Sequence, residues 1–217
     1  MPVPGRWDVV DSGAPPPVAD GAPDHDERGP MTDVLVRVVL PDRPGALGAV
    51  ASRIGSVGGD VVFIDILERS DGVVVDEIGV VLADAALAEL MVGEIHEVDG
   101  AAVEAVRPVT SAAADPQTEL LAAATGLVRQ QRAEDVLAFL VDAARDGFGA
   151  EHVSVVPSSE HHKSPDVAVA KLVAVGAELV VVRRHPVLRQ RERTRLAELA
   201  ALADHRWREL AVRPAAS

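Results

Sequence analysis

The sequence predicts an α+β chain made of two consecutive units, and three observations carry that reading. Over residues 34–109, β-branched runs alternate with stretches of helical period in the order β-α-β-β-α-β. Residues 110–115, Thr-Ser-Ala-Ala-Ala-Asp, then break the pattern, and beyond them helical stretches flank short strands. Charge divides at the same place: residues 31–109 hold fourteen acids against five bases, whereas residues 110–217 hold fourteen of each.

Ahead of both units, residues 1–30 contain seven prolines, four glycines and no apolar period. Such a segment does not bury enough surface to offset its ordering entropy, so a disordered tail is expected. Met31 directly precedes the first strand-like run and is an alternative start to Met1.

The first unit opens with a strand over 34–40. Asp42-Arg43-Pro44-Gly45 is turn chemistry, with Pro44 suited to a first helical turn. Leu47, Val50, Ile54 and Val57 fall on one helical face, and Gly58-Gly59 stops the helix. Residues 61–68 and 73–82 read as strands joined by a hairpin turn at Ser70-Asp71-Gly72. Asp84 can cap a second helix with Leu87, Leu90, Met91 and Val98 on its apolar face, and 101–109 is a fourth strand. This is the split βαβ, or ferredoxin-like, arrangement.

In the second unit Asp115-Pro116 starts a helix carrying Leu120, Ala124, Leu127 and Gln131, and another helix runs from Ala133 to Gly147. Residues 153–156 and 178–183 read as strands. A helix is expected over 166–175 and a long final one over 188–210.

Composition removes several functions. The chain has no cysteine, which excludes disulfides, thiolate metal sites and a cysteine nucleophile. Only 2% of residues are aromatic and the net charge is −13, both unfavourable to nucleic-acid binding. No apolar run reaches the ~18 residues of a membrane span, so a cytoplasmic protein without a membrane partner is expected. No P-loop, G-x-G-x-x-G or Ser-His-Asp context is present. The chain is therefore expected not to be an enzyme and to need no cofactor.

What remains is a small-ligand site. In the first turn, backbone N–H groups at a helix N-terminus favour a carboxylate. Asp42 can accept from an ammonium group, and Gly45 permits close approach. These residue types suit an amino acid.

With the D-R-P-G-x-L turn at residues 42–47, the Gly58-Gly59-Asp60 turn and the element order, the stretch over 32–110 resembles an ACT domain. The resemblance implies a regulatory, amino-acid-binding module that acts in pairs. Its ligand would lie between the first turn of one domain and the second strand of a neighbour. The implied ligand residues are Asp42, Arg43, Pro44, Gly45, Ala46, Leu47, Asp60, Phe63 and Ile64, with Leu47, Phe63 and Ile64 walling the side chain. Residues 116–212 are similar, more weakly, to a GAF domain in their leading and trailing helices. The strand ending at Arg183, the Pro186-Val187-Leu188 turn and the helix after it carry that likeness.

Other features have plainer expectations. The strands read as apolar on both faces, so a second copy or the C-terminal half should cover the face away from the helices. Arg183, Arg184, Arg189, Arg191, Arg193 and Arg195 do not form one stripe and read as a solvated, ion-paired helix. His161 and His162 read as loop residues rather than metal ligands. Asp65 could face Asp76 or Glu77 across the hairpin. The expected function is a dimeric amino-acid sensor; the alternatives are a regulatory subunit bound to a biosynthetic enzyme, and a dimerisation scaffold without ligand.

Overall fold

The structure is a computed structural model that describes residues 31–109, 115–158 and 164–212. The expected tail, most of the linker and the His161-His162 pair lie outside the described residues.

In the first unit, β1 (Thr32–Pro41), α1 (Ala46–Ser56), β2 (Asp60–Ser70), β3 (Val73–Leu82), α2 (Leu87–His96) and β4 (Ala102–Val109) follow the expected order. The strands form one antiparallel sheet, β2-β3-β1-β4. Because side chains alternate along a strand, Val34, Val36, Val38 and Leu40 of β1 share a face with Ile78, Val80 and Leu82 of β3. They pack on Ala46, Val50 and Ile54 of α1 and on Met91 and Ile95 of α2. This helix-covered face is the apolar core of the unit.

Local chemistry sets the ends of these elements. The β2–β3 hairpin turns through Asp71 (φ 52°) and Gly72 (φ 77°), two consecutive left-handed residues of the kind a tight two-residue hairpin requires. At the end of α1, a Cβ on Gly59 would lie 3.0 Å from the Ile54 carbonyl oxygen. Asp84 accepts from the Ala86 N–H at 2.9 Å just before α2. Leu90, expected on the apolar face, is exposed, and Ile95, not among the expected residues, is buried with Met91.

The second unit comprises α3 (Pro116–Arg129), α4 (Ala133–Gly147), β5 (His152–Pro157), β6 (Val167–Leu172), β7 (Ala177–Val182) and α5 (Gln190–Ala211). Asp115 caps α3, accepting from the Gln117 and Thr118 N–H groups, with Pro116 in the first turn. Gln131 lies beyond the end of α3. The strands form an antiparallel sheet, β5-β7-β6. The helix expected over 166–175 is instead strand β6. Ala168, Ala170 and Leu172 are buried while Val169 and Lys171 are exposed, a period of two that the alanines disguised. A shared core of Leu127, Val136, Leu140, Leu179, Leu196 and Leu199 joins the three helices to this sheet.

The two units meet through the open face of the first sheet. Helix α5 lies against β2, and Arg37 of β1 reaches Val187 and Glu192 of the second unit. Of the two expected covers, the C-terminal half occupies this face. The face is mixed: Leu35 and Val75 are buried on it beside Arg37, Asp65 and Glu77, the three charged residues each no more than 6% exposed. No described helix is long and apolar enough to cross a membrane.

Candidate ligand-binding site

The β1–α1 turn is held in place by its neighbours. Gly45 caps α1 at φ 86°, a conformation that L side chains rarely adopt. Nothing lies within 4 Å of where its Cβ would be, so the glycine is required by backbone geometry rather than crowding. Pro44 precedes this cap instead of occupying the first helical turn. The Asp42 N–H donates to Gly72 O at 2.8 Å, tying the turn to the hairpin. Ala46 is buried within the core, while Leu47 packs at its margin.

The turn's two charges already have partners. Asp42 pairs with Arg69 of β2 at 3.3 Å, and Arg43 donates to the Asp99 carbonyl at 3.2 Å. Asp42 is therefore one member of an acid–base pair at the hairpin end of the sheet.

Close to that pair lies Asp76, which the sequence marks only as one that could face Asp65 across the hairpin. Asp76 has the same parity on β3 as Ile78 and Val80, so its carboxylate enters the helix-covered face, 1% exposed. Its Oδ1 has no hydrogen-bond partner among the described residues. Burial, only partly offset by the Arg69 guanidinium, pushes its carboxyl up to about 6. The signal was present in Val-Val-Val-Asp-Glu-Ile-Gly-Val-Val, where one acid falls on each face. The register pairs Asp65 with Glu77 and leaves Asp76 opposite Ile66.

The other expected ligand residues do not join the turn within one chain. Asp60 pairs with Val81 while the turn lies beside Val73, so the two occupy opposite ends of the sheet. Ile64 pairs with Ile78 on the helix-covered face, and Phe63 pairs with Gly79 on the other. Neighbouring strand residues project to opposite faces, so Phe63 and Ile64 cannot wall one ligand side chain together.

On the far side of the sheet the arginines of the second unit build a buried network. Arg37 donates to Glu77 at 2.8 Å and to Glu192 at 3.0 Å, and Arg183 donates to Glu192 at 2.7 Å. Burial opposes ionisation of Glu192, but the two guanidiniums outweigh it and hold its carboxyl below the usual range. Asp65 receives Arg195 at 2.6 Å and Arg191 at 3.3 Å, and Arg189 pairs with Glu104. The expected ion pairing is present, and Arg184 and Arg191 are solvated, with side chains 71% and 45% exposed; Arg195 of α5 is partly buried, and Arg183, which precedes the helix, is buried.

Beside this network a cavity of about 490 Å³ opens between the units. Its walls come from β1, β3 and β4 of the first unit and from α3, α4 and α5 of the second. Its lining contains both apolar and charged residues. Among the described residues there is no group of three or more His, Asp or Glu placed to hold a metal.

Among solved structures, the chain is similar to an unknown protein from Galdieria sulphuraria, at 12% identity and TM-score 0.35 over 83% of this chain and 93% of that one. It is also similar to the regulatory subunit of aspartate kinase from Thermus thermophilus, at 14% identity and TM-score 0.32 over 83% and 95%. The ACT domain of GTP pyrophosphokinase from Chlorobium tepidum matches at 15% identity and TM-score 0.28, over 36% of this chain and 96% of that domain. No protein-family model matches the chain, and no curated protein matches it.

Proposed function

We propose that this chain is a non-enzymatic regulatory protein that binds an amino acid at the β1–α1 turn. The observation that carries the reading is Asp76, a buried carboxylate with an unpartnered oxygen near the Asp42–Arg69 pair. Two acids and one base leave a local charge of −1, which an ammonium group neutralises. The ligand carboxylate is met by Arg69 and by the first N–H groups of α1, where the helix carries partial positive charge. Asp42 and Asp76 hold the amine, and Leu47 borders the side chain.

A homodimer completes the site. Strand β2 is an edge strand, and its Val62, Ile64 and Ile66 are each about 40% exposed. A second copy covering them brings Asp60 and Ile64 of one chain toward the turn of the other. The C-terminal unit, GAF-like in its leading and trailing helices, relays the bound state through the ion pairs that join it to the sheet. Such a relay operates only if the ligand prefers one arrangement of the subunits.

Calorimetric titration against the twenty proteinogenic amino acids tests this. Saturable binding of one or a few is expected, weakened at least tenfold by Asp42→Ala and by Asp76→Asn. Silence across the panel overturns the reading, and capture of a stoichiometric enzyme from lysate with no amino-acid binding favours a regulatory subunit.

A further inference from the structure

The cavity between the two units is separate from the β1–α1 turn. It lies on the opposite face of the first sheet, and none of residues 42–47 lines it. Its volume of about 490 Å³ falls within the ~300–1,000 Å³ range of small-molecule sites.

The lining divides into two parts. Leu35 of β1, Leu120 of α3, Phe139 and Phe148 from α4 and its end, and Leu199 of α5 form an apolar wall. Arg183, Arg195 and Glu192 line the same cavity, as do the exposed Arg107, Glu119 and Asp146, with Arg195 one helical turn from Leu199 on α5 and Arg183 on the Phe148 carbonyl. Two guanidinium donors in this group are unused. Arg195 gives Nη1 to Asp65, while its Nη2 is buried with no partner among the described residues. Arg183 is 5% exposed and gives both terminal nitrogens to Phe148, Val187 and Glu192, while its buried Nε likewise lacks a partner. An unmade hydrogen bond at a buried charged donor is costly, and Arg183 and Arg195 both line the cavity, so a carboxylate is the group this end of the cavity favours.

Charge selects the rest of the ligand. The cavity is lined by three arginines and four acids, the fourth acid being Glu77, and the buried Arg37 pairs with Glu77 and Glu192. Asp65, which takes Arg195 and Arg191, extends the same network, and across it arginines and acids balance. A ligand with net charge would leave one buried charge uncompensated, whereas a zwitterion would not. Its carboxylate meets Arg183 and Arg195, its ammonium meets Glu119 and Asp146, and its body lies on the apolar wall.

We infer that the cavity between the units is a second small-molecule site, built for an amino acid with an apolar or aromatic side chain. The inference stands apart from the turn: it holds even if the turn binds nothing.

The test uses the full chain with L-phenylalanine and L-leucine as probes. Phenylpyruvate, which lacks the amine, and 2-phenylethylamine, which lacks the carboxylate, serve as comparators. Calorimetry is expected to show saturable binding of at least one amino acid, with both comparators at least tenfold weaker. In the Asp42→Ala background, which removes the turn as a competing site, Ala123→Trp, which fills the cavity from α3, should abolish binding. Arg195→Gln removes a carboxylate donor but leaves Asp65 its Arg191 partner. It should weaken binding at least tenfold with the thermal midpoint retained, which keeps the test decisive if Ala123→Trp fails to fold. Absence of binding by both probes overturns the inference. Equal binding of phenylpyruvate overturns the zwitterion assignment. Loss of binding in Asp42→Ala with retention in both Ala123→Trp and Arg195→Gln places the ligand at the turn instead, which overturns this inference and leaves the proposed function standing.

Discussion

The two faces of the first sheet are buried to the same degree by different chemistry. On the helix-covered face, Val34, Val36, Val38 and Leu40 of β1 meet the aliphatic residues of α1 and α2. On the other face, Arg37 of the same strand is 1% exposed and is held by Glu77 and Glu192. Hydrocarbon packing is non-directional and tolerates exchange among side chains of similar volume. A guanidinium shared by two carboxylates fixes both distance and angle. The first face makes the unit stable, and the second sets where the C-terminal unit sits upon it.

The largest expected effect comes from breaking the charged face at its centre. Glu192→Ala leaves Arg37 and Arg183 buried with less compensation, and urea denaturation should show a loss of about 3–5 kcal/mol. Replacing Arg37, Glu77, Arg183 and Glu192 together with aliphatic residues of similar volume should recover most of that loss. A quadruple variant no more stable than Glu192→Ala would mean that the network contributes net stability and not only orientation.

Asp76 is the exception on the apolar face, and removing its charge should have the opposite sign. Its carboxyl is raised from 3.8 to about 6, so the folded state holds a proton that the unfolded state has released between those values. Its contribution to stability therefore declines as pH rises through that window, is at its most unfavourable above it, and vanishes below about 4. Asp76→Asn should stabilise the protein by about 1–3 kcal/mol at pH 8 and leave the thermal midpoint nearly unchanged at pH 4. Equal gains at both pH values would exclude ionisation as the cause.

Within the apolar face itself, Ile78 is fully buried. Ile78→Val should cost about 0.5–1.5 kcal/mol, measured by the same denaturation. The smallest effect belongs to an exposed pair on the helices, Arg53 with Glu94 at 2.8 Å. Arg53→Ala should cost about 0.2–1 kcal/mol and less at high salt. A loss there comparable to that of Glu192→Ala would erase the distinction between solvated and buried pairs.

The parts of this protein that depend on local chemistry were legible in residue order. The turn at residues 42–45, Asp71-Gly72 at a hairpin turn and Asp115-Pro116 at a helix start each act within a few residues of themselves. Alternation and helical period marked six elements of the first unit for the same reason. Strand β6 was missed because alanine serves either period, and only its pairing with β7 selects the extended form.

The charged face and the cavity could not be read in this way. Arg37 and Glu192 are 155 residues apart, and an arginine among valines looks like a solvent-facing position until α5 is laid across it. Asp76 likewise shows its burial only when α1, α2 and the sheet close on one another. Periodicity reports which face a side chain occupies, whereas the pairing, desolvation and unused donors of that side chain are properties of what packs against it.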